Sequence, residues 1–312
     1  MKKVVILDAE CTIRNDLNFE ELGRTCNLTV YDKTESRELT IKRLQNTEIA
    51  LTNKTIIDKY VIDNCPSLKF ISVLATGYNV VDYQYARTKG IIVSNVPNYS
   101  TESVVQHTFA LILNEFSKIS THVDTVKNNQ WANSGEFSCL IEKTKTLFGK
   151  TLGIIGYGAI GKRVAMVAKA FGMNVLINTR TPIDGCVDLN TLLKNSDVIS
   201  LHCPLTSTNA RMINEDTISI MKEGVVIVNT ARGALVDESA VNNALNLGKI
   251  SAYLSDVLTV EPPQDSVLIS NEKSYVTPHI AWATYESRKR LIEVTCDNVL
   301  AYINKKPINV VN

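Results

Sequence analysis

The chain has 312 residues, 45% hydrophobic and 21% charged, a globular composition long enough for two domains of ordinary size. Its 33 Lys and Arg balance 32 Asp and Glu for a formal net charge of +1, which excludes an electrostatic case for nucleic acid or an anionic membrane as partner. No apolar run approaches the ~20 residues that span a bilayer, and the seven scattered cysteines, with no Cys-x-x-Cys pair, read as reduced thiols of a cytoplasmic protein.

The opening stretch MKKVVILDAE has the lysines and apolar start of a secretion signal, but Asp8 and Glu10 interrupt it early and it reads as a first strand. The runs LTVYD, EIALTN, KFISVLATG and GIIVSNV follow, separated by helical stretches. Strands alternating with helices predict a parallel sheet covered on both faces. After PNYS comes a long helix, with Ser100 or Ser103 as its cap and Val105, Phe109, Ile112 and Phe116 on one face. It is a natural start for a second domain. Six further strand candidates (TLGIIGYG, MNVLINT, DVISLHCP, GVVIVNTARG, ISAYLSDVL, SYVTPHIA) suit a doubly wound sheet. A last helical stretch after His279 returns to the first domain. The expected fold class is therefore α/β, two doubly wound parallel-sheet domains, with boundaries at 1–99 plus 284–312 and at 100–283.

The segment GIIGYGAIGKRVAMVAKAFGM puts Gly156, Gly158 and Gly161 in a G-x-G-x-x-G spacing between a strand and a helix, the context that makes the motif informative. Gly156 allows a tight turn, Gly158 lets the backbone approach a diphosphate, and Gly161 permits close helix–strand packing, with the diphosphate at the helix N-terminus. Ile160, Val164, Val167, Ala168 and Phe171 share the apolar face of that helix and Gly172 ends it. An acid that would take the ribose hydroxyls of NAD is expected near Thr179. The chain instead offers Thr179, Arg180 and Thr181, with no acid until Asp184. Neutral donors and an arginine suit the 2′-phosphate of NADP, so the loop favours NADP over NAD.

Three strand ends carry the polar residues of a reaction centre: Arg232 in VIVNTARGALVDE, Asp256 and Glu261 in SDVLTVEPP, and His279 in YVTPHIAW. An Arg, a carboxylate and a His suit carbonyl reduction with a nicotinamide cofactor: the Arg clamps a substrate carboxylate, the His gives the proton, and the carboxylate favours the imidazolium. Singly each has a bland role, as a cap, a solvated loop acid or a satisfied strand-end histidine; together they point to catalysis. His202, at the strand end in LHCP, is placed to touch the cofactor. His107 and His122 fall in helical stretches and read as packing or surface residues. No His, Cys and Asp cluster has metal-ligand spacing, so no metal is expected.

With LATGYNVVD, GIIGYGAIG, LHCPLT, INEDTISIMKEGVVIVNTARGALVDE, DVLTVEPP and TPHIAWAT in this order, the sequence resembles the D-isomer-specific 2-hydroxyacid dehydrogenases over nearly its whole length. YSTESVVQHTFALIL, TPHIAWATYESRKRL and PINVVN look most like the glycerate dehydrogenase (hydroxypyruvate reductase) branch. The resemblance implies a flavodoxin-like substrate domain and a Rossmann-type cofactor domain with the active site in the cleft between them. It implies Arg232 on the substrate carboxylate and carbonyl, Glu261 paired with His279, and His279 as acid/base. Asp256 would orient the nicotinamide carboxamide, and the peptide N–H groups at Thr76 and Gly77 would bind the substrate carboxylate. Ala159 and Ile160 would touch the diphosphate, while Cys203, Pro204, Thr230 and Ala231 would line the cofactor cleft. Trp282, where many relatives carry Gly, would narrow the pocket toward small substrates. A small 2-keto or 2-hydroxy acid and a homodimer are the implied partners. D-lactate-type dehydrogenases, short phosphoglycerate dehydrogenases and NAD(H)-sensing corepressor relatives are the alternatives.

Overall fold

The computed structural model describes residues 1–312. They divide into two compact units, Met1–Ser100 with Ala283–Asn312, and Thr101–Trp282.

In the first unit five strands form one parallel sheet: β1 (Lys3–Ile6), β2 (Asn27–Val30), β3 (Ile49–Thr52), β4 (Phe70–Val73) and β5 (Ile92–Ser94), ordered β2-β1-β3-β4-β5. The central strands read as continuous apolar runs because both faces are covered, and every residue of β3 and β4 is buried. The order reverses between β1 and β3. There Asp8, just past β1, accepts the backbone N–H groups of Asn53, Lys54 and Thr55 at 2.8, 2.5 and 2.7 Å. Burial pushes the Asp8 carboxyl up, and those three bonds oppose the shift.

The helix Tyr285–Ile303 belongs to this unit although it follows the whole of the other. Its Tyr302 stacks on Phe70 with ring centroids 4.5 Å apart, and its buried Asn298 donates to the carbonyl of Asn95 at 2.9 Å. Near its start the buried Arg288 makes a two-pronged bond to Asp16, at 2.7 and 2.6 Å.

In the second unit six parallel strands are ordered β11-β10-β9-β8-β6-β7. They are β6 (Thr151–Ile155), β7 (Asn174–Asn178), β8 (Val198–Leu201), β9 (Val225–Asn229), β10 (Ile250–Ser255) and β11 (Ser274–Val276). One face packs Leu192, Leu235, Val241 and Leu245 against Ile199 and Ile227. The other buries the long helix Thr101–Ser117 through Val105, Phe109, Ile112 and Phe116. Each of these side chains contributes about 1.5–3 kcal/mol by leaving water. The helix Ala159–Ala170 buries Gly161, Val164, Ala165 and Ala168. Phe171 caps the helix on the expected face: the residue is 40% exposed, yet its ring stacks at 5.6 Å on Phe109, in the cluster that buries Val164 and Ala168. No helix is long and apolar enough to cross a membrane.

Candidate active site

Every strand of the six-stranded sheet is parallel, so all the carboxyl ends share one edge, and the order reverses between β6 and β8. The loops leaving two such strands diverge and open a crevice. Beyond β6, Gly156 sits at φ +98°, and a Cβ there would meet the backbone nitrogen of Cys203 at 2.6 Å. Only glycine lets this turn lie against the loop that leaves β8. A Cβ on Gly161 would meet the carbonyl oxygen of Gly156 at 2.1 Å. Gly158 is different: nothing lies within 4 Å of its Cβ position, and it begins the helix Ala159–Ala170 without any side-chain cap. The first N–H groups of a helix have no partner within it, so those of Ala159 and Ile160 present the positive helix end to an anion.

Past β8, the ring of His202 bonds Ser200 Oγ through Nε2 at 2.8 Å, while its buried Nδ1 has no partner. Burial holds the imidazole neutral, its pKa pushed down to about 4. Burial also pushes the Cys203 thiol up, so it is not poised as a nucleophile. Asn209 closes this loop, accepting from Thr206 N at 2.7 Å and donating to Pro204 O at 2.8 Å. Past β7, Thr179 is half-buried while Arg180 and Thr181 are exposed, and Arg180 makes no ion pair or hydrogen bond.

β9 ends at the fully buried Asn229, which accepts from Ala231 N and donates to Arg232 O, both at 3.0 Å. This clamp ties down Thr230, Ala231 and Arg232. The exposed Arg232 guanidinium bonds only its neighbour's carbonyl, Ala231 O, at 2.7 Å. Asp237 caps the next helix, Glu238–Leu247, so Arg232 is not needed there. A Cβ on Gly233 would lie 2.0 Å from the carbonyl carbon of Leu258, so Gly233 is what allows the Arg232 loop to rest on the loop after β10. The N–H of Leu258 donates to Glu261 Oε1 at 3.0 Å, and Glu261 Oε2 lies 2.5 Å from His279 Nδ1. Contacts thus run from Arg232 through Gly233 and Leu258 to the Glu261–His279 pair. That pair is partly buried, at 32% and 28% side-chain exposure, and His279 Nε2 makes no hydrogen bond.

His279 adopts φ +54°, a left-handed conformation that costs a non-glycine residue of order 1–3 kcal/mol unless its surroundings impose it. Asp256 imposes it. This carboxylate is 1% exposed and accepts from Ile280 N at 2.9 Å, Ala281 N at 2.7 Å and Thr277 Oγ1 at 2.6 Å. It fastens the chain on both sides of His279, and Oδ2 keeps a lone pair beyond its bond to Ala281. Half-buried Trp282 follows directly. In the first unit, past β4, the N–H groups of Thr76 and Gly77 make no hydrogen bond, while Thr76 itself is held by Val96 O at 2.9 Å and Asn95 Nδ2 at 2.7 Å. No group of three or more His, Cys, Asp or Glu could hold a metal ion.

Residues 109–281 match the model of the D-isomer specific 2-hydroxyacid dehydrogenase, NAD binding domain. The chain belongs to that family. It is 39% identical over 320 aligned positions to a hydroxypyruvate reductase of Blautia hydrogenotrophica, and 40% identical over 313 to a glycerate dehydrogenase of Methylorubrum extorquens, covering 99% of each chain in both cases. Among solved structures, an acyclic imino acid reductase in complex with NADPH and D-Arg superposes with a TM-score of 0.88 at 30% identity, over 99% of this chain and 100% of that one. A D-lactate dehydrogenase from Aquifex aeolicus complexed with NAD and lactic acid gives 0.85 at 32%, over 98% and 96%. Membership brings oxidoreductase chemistry on 2-hydroxy acids and a nicotinamide cofactor, and the cradle at Gly158 with its uncapped helix end fits the diphosphate of such a cofactor.

Asn229 and Gly233 were not singled out in the sequence, and His107 was read there only as a packing or surface residue. Asn229 had a signal, since an Asn at a strand end readily bonds the backbone two residues on. Gly233 had only its place after Arg232, and His107 lay in a helix with nothing to mark its partner.

Proposed function

We propose that the protein reduces hydroxypyruvate to D-glycerate, and glyoxylate to glycolate, using NAD(P)H. The observation that carries this reading is the Glu261–His279 pair at 2.5 Å with Nε2 of the histidine unengaged, one loop from an exposed Arg232. The similar hydroxypyruvate reductase, glycerate dehydrogenase and glyoxylate reductases support the choice of substrate.

When bound, the reduced nicotinamide supplies a hydride to the carbonyl carbon. Arg232 binds the substrate carboxylate and polarises the ketone with its remaining donors. The imidazolium of His279 gives its Nε2 proton to the carbonyl oxygen as that oxygen gains the charge, leaving neutral imidazole and the 2-hydroxy acid; solvent then restores the proton. Glu261 holds Nδ1–H throughout, which fixes the tautomer and stabilises the imidazolium. The unengaged N–H groups of Thr76 and Gly77 are proposed as further ligands of the carboxylate, and the spare Oδ2 lone pair of Asp256 as acceptor for the carboxamide. His202, Cys203, Pro204, Thr230 and Ala231 are proposed to line the cofactor's path.

The unpaired Arg180 between Thr179 and Thr181 supports NADP over NAD. Initial rates with hydroxypyruvate and each cofactor test both halves of the reading. NADPH should give the higher kcat/KM, and Arg180→Ala should erase about tenfold of the preference; an NADH preference would remove the role given to Arg180, and no turnover with either would remove the reductase. In the same assay, Trp282→Gly should widen acceptance to bulkier 2-keto acids, and an unchanged profile would end the narrowing role.

A homodimer is proposed through the exposed apolar side chains Ile119, Val126, Trp131, Phe137, Leu140 and Phe148, of which Phe137 is 97% exposed. These six large apolar side chains, exposed within one stretch, 119–148, support a covering partner. Sedimentation equilibrium should give twice the chain mass, and a monomer at micromolar concentration would refute it.

A further inference from the structure

We infer that His107, on the long helix Thr101–Ser117, is a positioning residue for the reaction, acting on His279 through Thr277 and Asp256. Its Nε2 lies 2.8 Å from Thr277 Oγ1 and 3.6 Å from Asp256 Oδ1. Thr277 has one hydroxyl proton and two acceptors in reach, Asp256 Oδ1 at 2.6 Å and Ser255 O at 3.3 Å. The shorter bond takes the proton, so the oxygen of Thr277 receives a hydrogen from His107, and the His107 ring carries its proton on Nε2. The direction of the whole chain is then set: His107 donates to Thr277, Thr277 donates to Asp256, and Asp256 receives the N–H groups of Ile280 and Ala281.

The buried Asp256 has no Lys or Arg partner, and His107 is the one basic side chain within 4 Å of it. A carboxylate shielded from water needs every available donor. Without the His107 donor the Thr277 oxygen is left one hydrogen bond short, and the polarised bond it makes to Asp256 Oδ1 weakens. The left-handed turn at His279 depends on the bonds to Asp256. The helix grips the same segment one turn earlier, where Ser103 Oγ donates to Ala281 O. His107 and Ser103 therefore anchor both sides of the acid/base to a helix whose apolar face is buried in the core.

His107→Leu removes the donor and keeps bulk, His107→Gln restores an Nε2–H donor, and Thr277→Val cuts the same chain from the other end. The kinetic arm rests on His279 being the acid/base of the reading above; the exchange arm needs no turnover. In His107→Leu, kcat for hydroxypyruvate should fall about tenfold with KM within about twofold, since a small displacement of a reacting group acts on the chemical step. Backbone amide exchange at Ile280 and Ala281 should quicken, while exchange in the central strands stays as in the unaltered protein. His107→Gln should recover both, and Thr277→Val should reproduce the loss even where His107→Leu fails to fold. A kcat within twofold and unchanged exchange at Ile280 and Ala281, with only the melting temperature lowered, would show that His107 merely packs. Should the unaltered protein turn over no 2-keto acid, the reductase reading falls, and the exchange result still decides the role of His107.

Discussion

Replacing Glu261 by Gln tests the centre of the mechanism with a change of one atom type. Glutamine keeps the length of the side chain and an oxygen that can accept from His279 Nδ1–H or from Leu258 N–H, bonds that now measure 2.5 and 3.0 Å. What it loses is the charge and one of the two acceptors. A hydrogen bond to an ionised group contributes about 1.5–3 kcal/mol against about 0.5–1.5 for a neutral one. The pair is partly solvated, at 32% and 28% side-chain exposure, so the lower part of that difference applies. A loss of about 1 kcal/mol of transition-state stabilisation corresponds to roughly a fivefold drop in kcat/KM for reduction. The drop should sit mainly in kcat, because in the proposed reaction the charge on His279 matters most while the carbonyl oxygen is taking its proton. Steady-state rates with hydroxypyruvate at saturating cofactor measure it directly. A variant within twofold of the unaltered protein in kcat/KM, with normal stability, would refute the pairing of Glu261 with a catalytic imidazolium. A rise in KM alone would make Glu261 a binding residue instead.

Acid should reveal the latch between the returning helix and the start of the chain. The Arg288 guanidinium, bonded to both oxygens of Asp16, holds that carboxyl below the usual carboxylate range. A folded pKa below the unfolded value of about 3.9 means a stabilisation that is complete above that value and is lost as pH falls through the folded one. Asp16→Asn should therefore be less stable than the unaltered protein near neutral pH, with the gap narrowing once pH falls below the unfolded value of about 3.9; a urea-midpoint difference that is the same at every pH would contradict this.

Much of the architecture was legible in the chain. Apolar runs of strand length alternating with amphipathic stretches announced two parallel sheets, because a strand covered on both faces is mostly apolar, as β3, β4, β8 and β9 are, each buried along its whole length with a single polar residue. The glycine turn after β6 was legible for a related reason: glycines at fixed spacing between a strand and a helix answer a local backbone need, and Gly156 and Gly161 meet it within a few residues. Arg232, Glu261 and His279 could be singled out as candidates because each follows a recognisable strand. Phe171 shows how far periodicity reaches: the helix ends at it, yet its ring still meets Phe109 of the core that takes Val164 and Ala168.

The sequence by itself determined which segments become strands, which helical faces seek the core, and which polar residues stand at strand ends. Only the tertiary structure decided how those residues meet. Gly233 rests on Leu258 because β9 and β10 are neighbours, and Asp256 reaches Ile280 and Ala281 because β10 and β11 are. His107 reaches Thr277 across 170 positions of chain. Burial patterns are local, set residue by residue by the hydrophobic effect, and so they can be read in one dimension. Strand order and the directions of hydrogen bonds between strand-end loops come from the packing of the whole sheet, and they turn a row of polar strand ends into one set of aligned donors and acceptors.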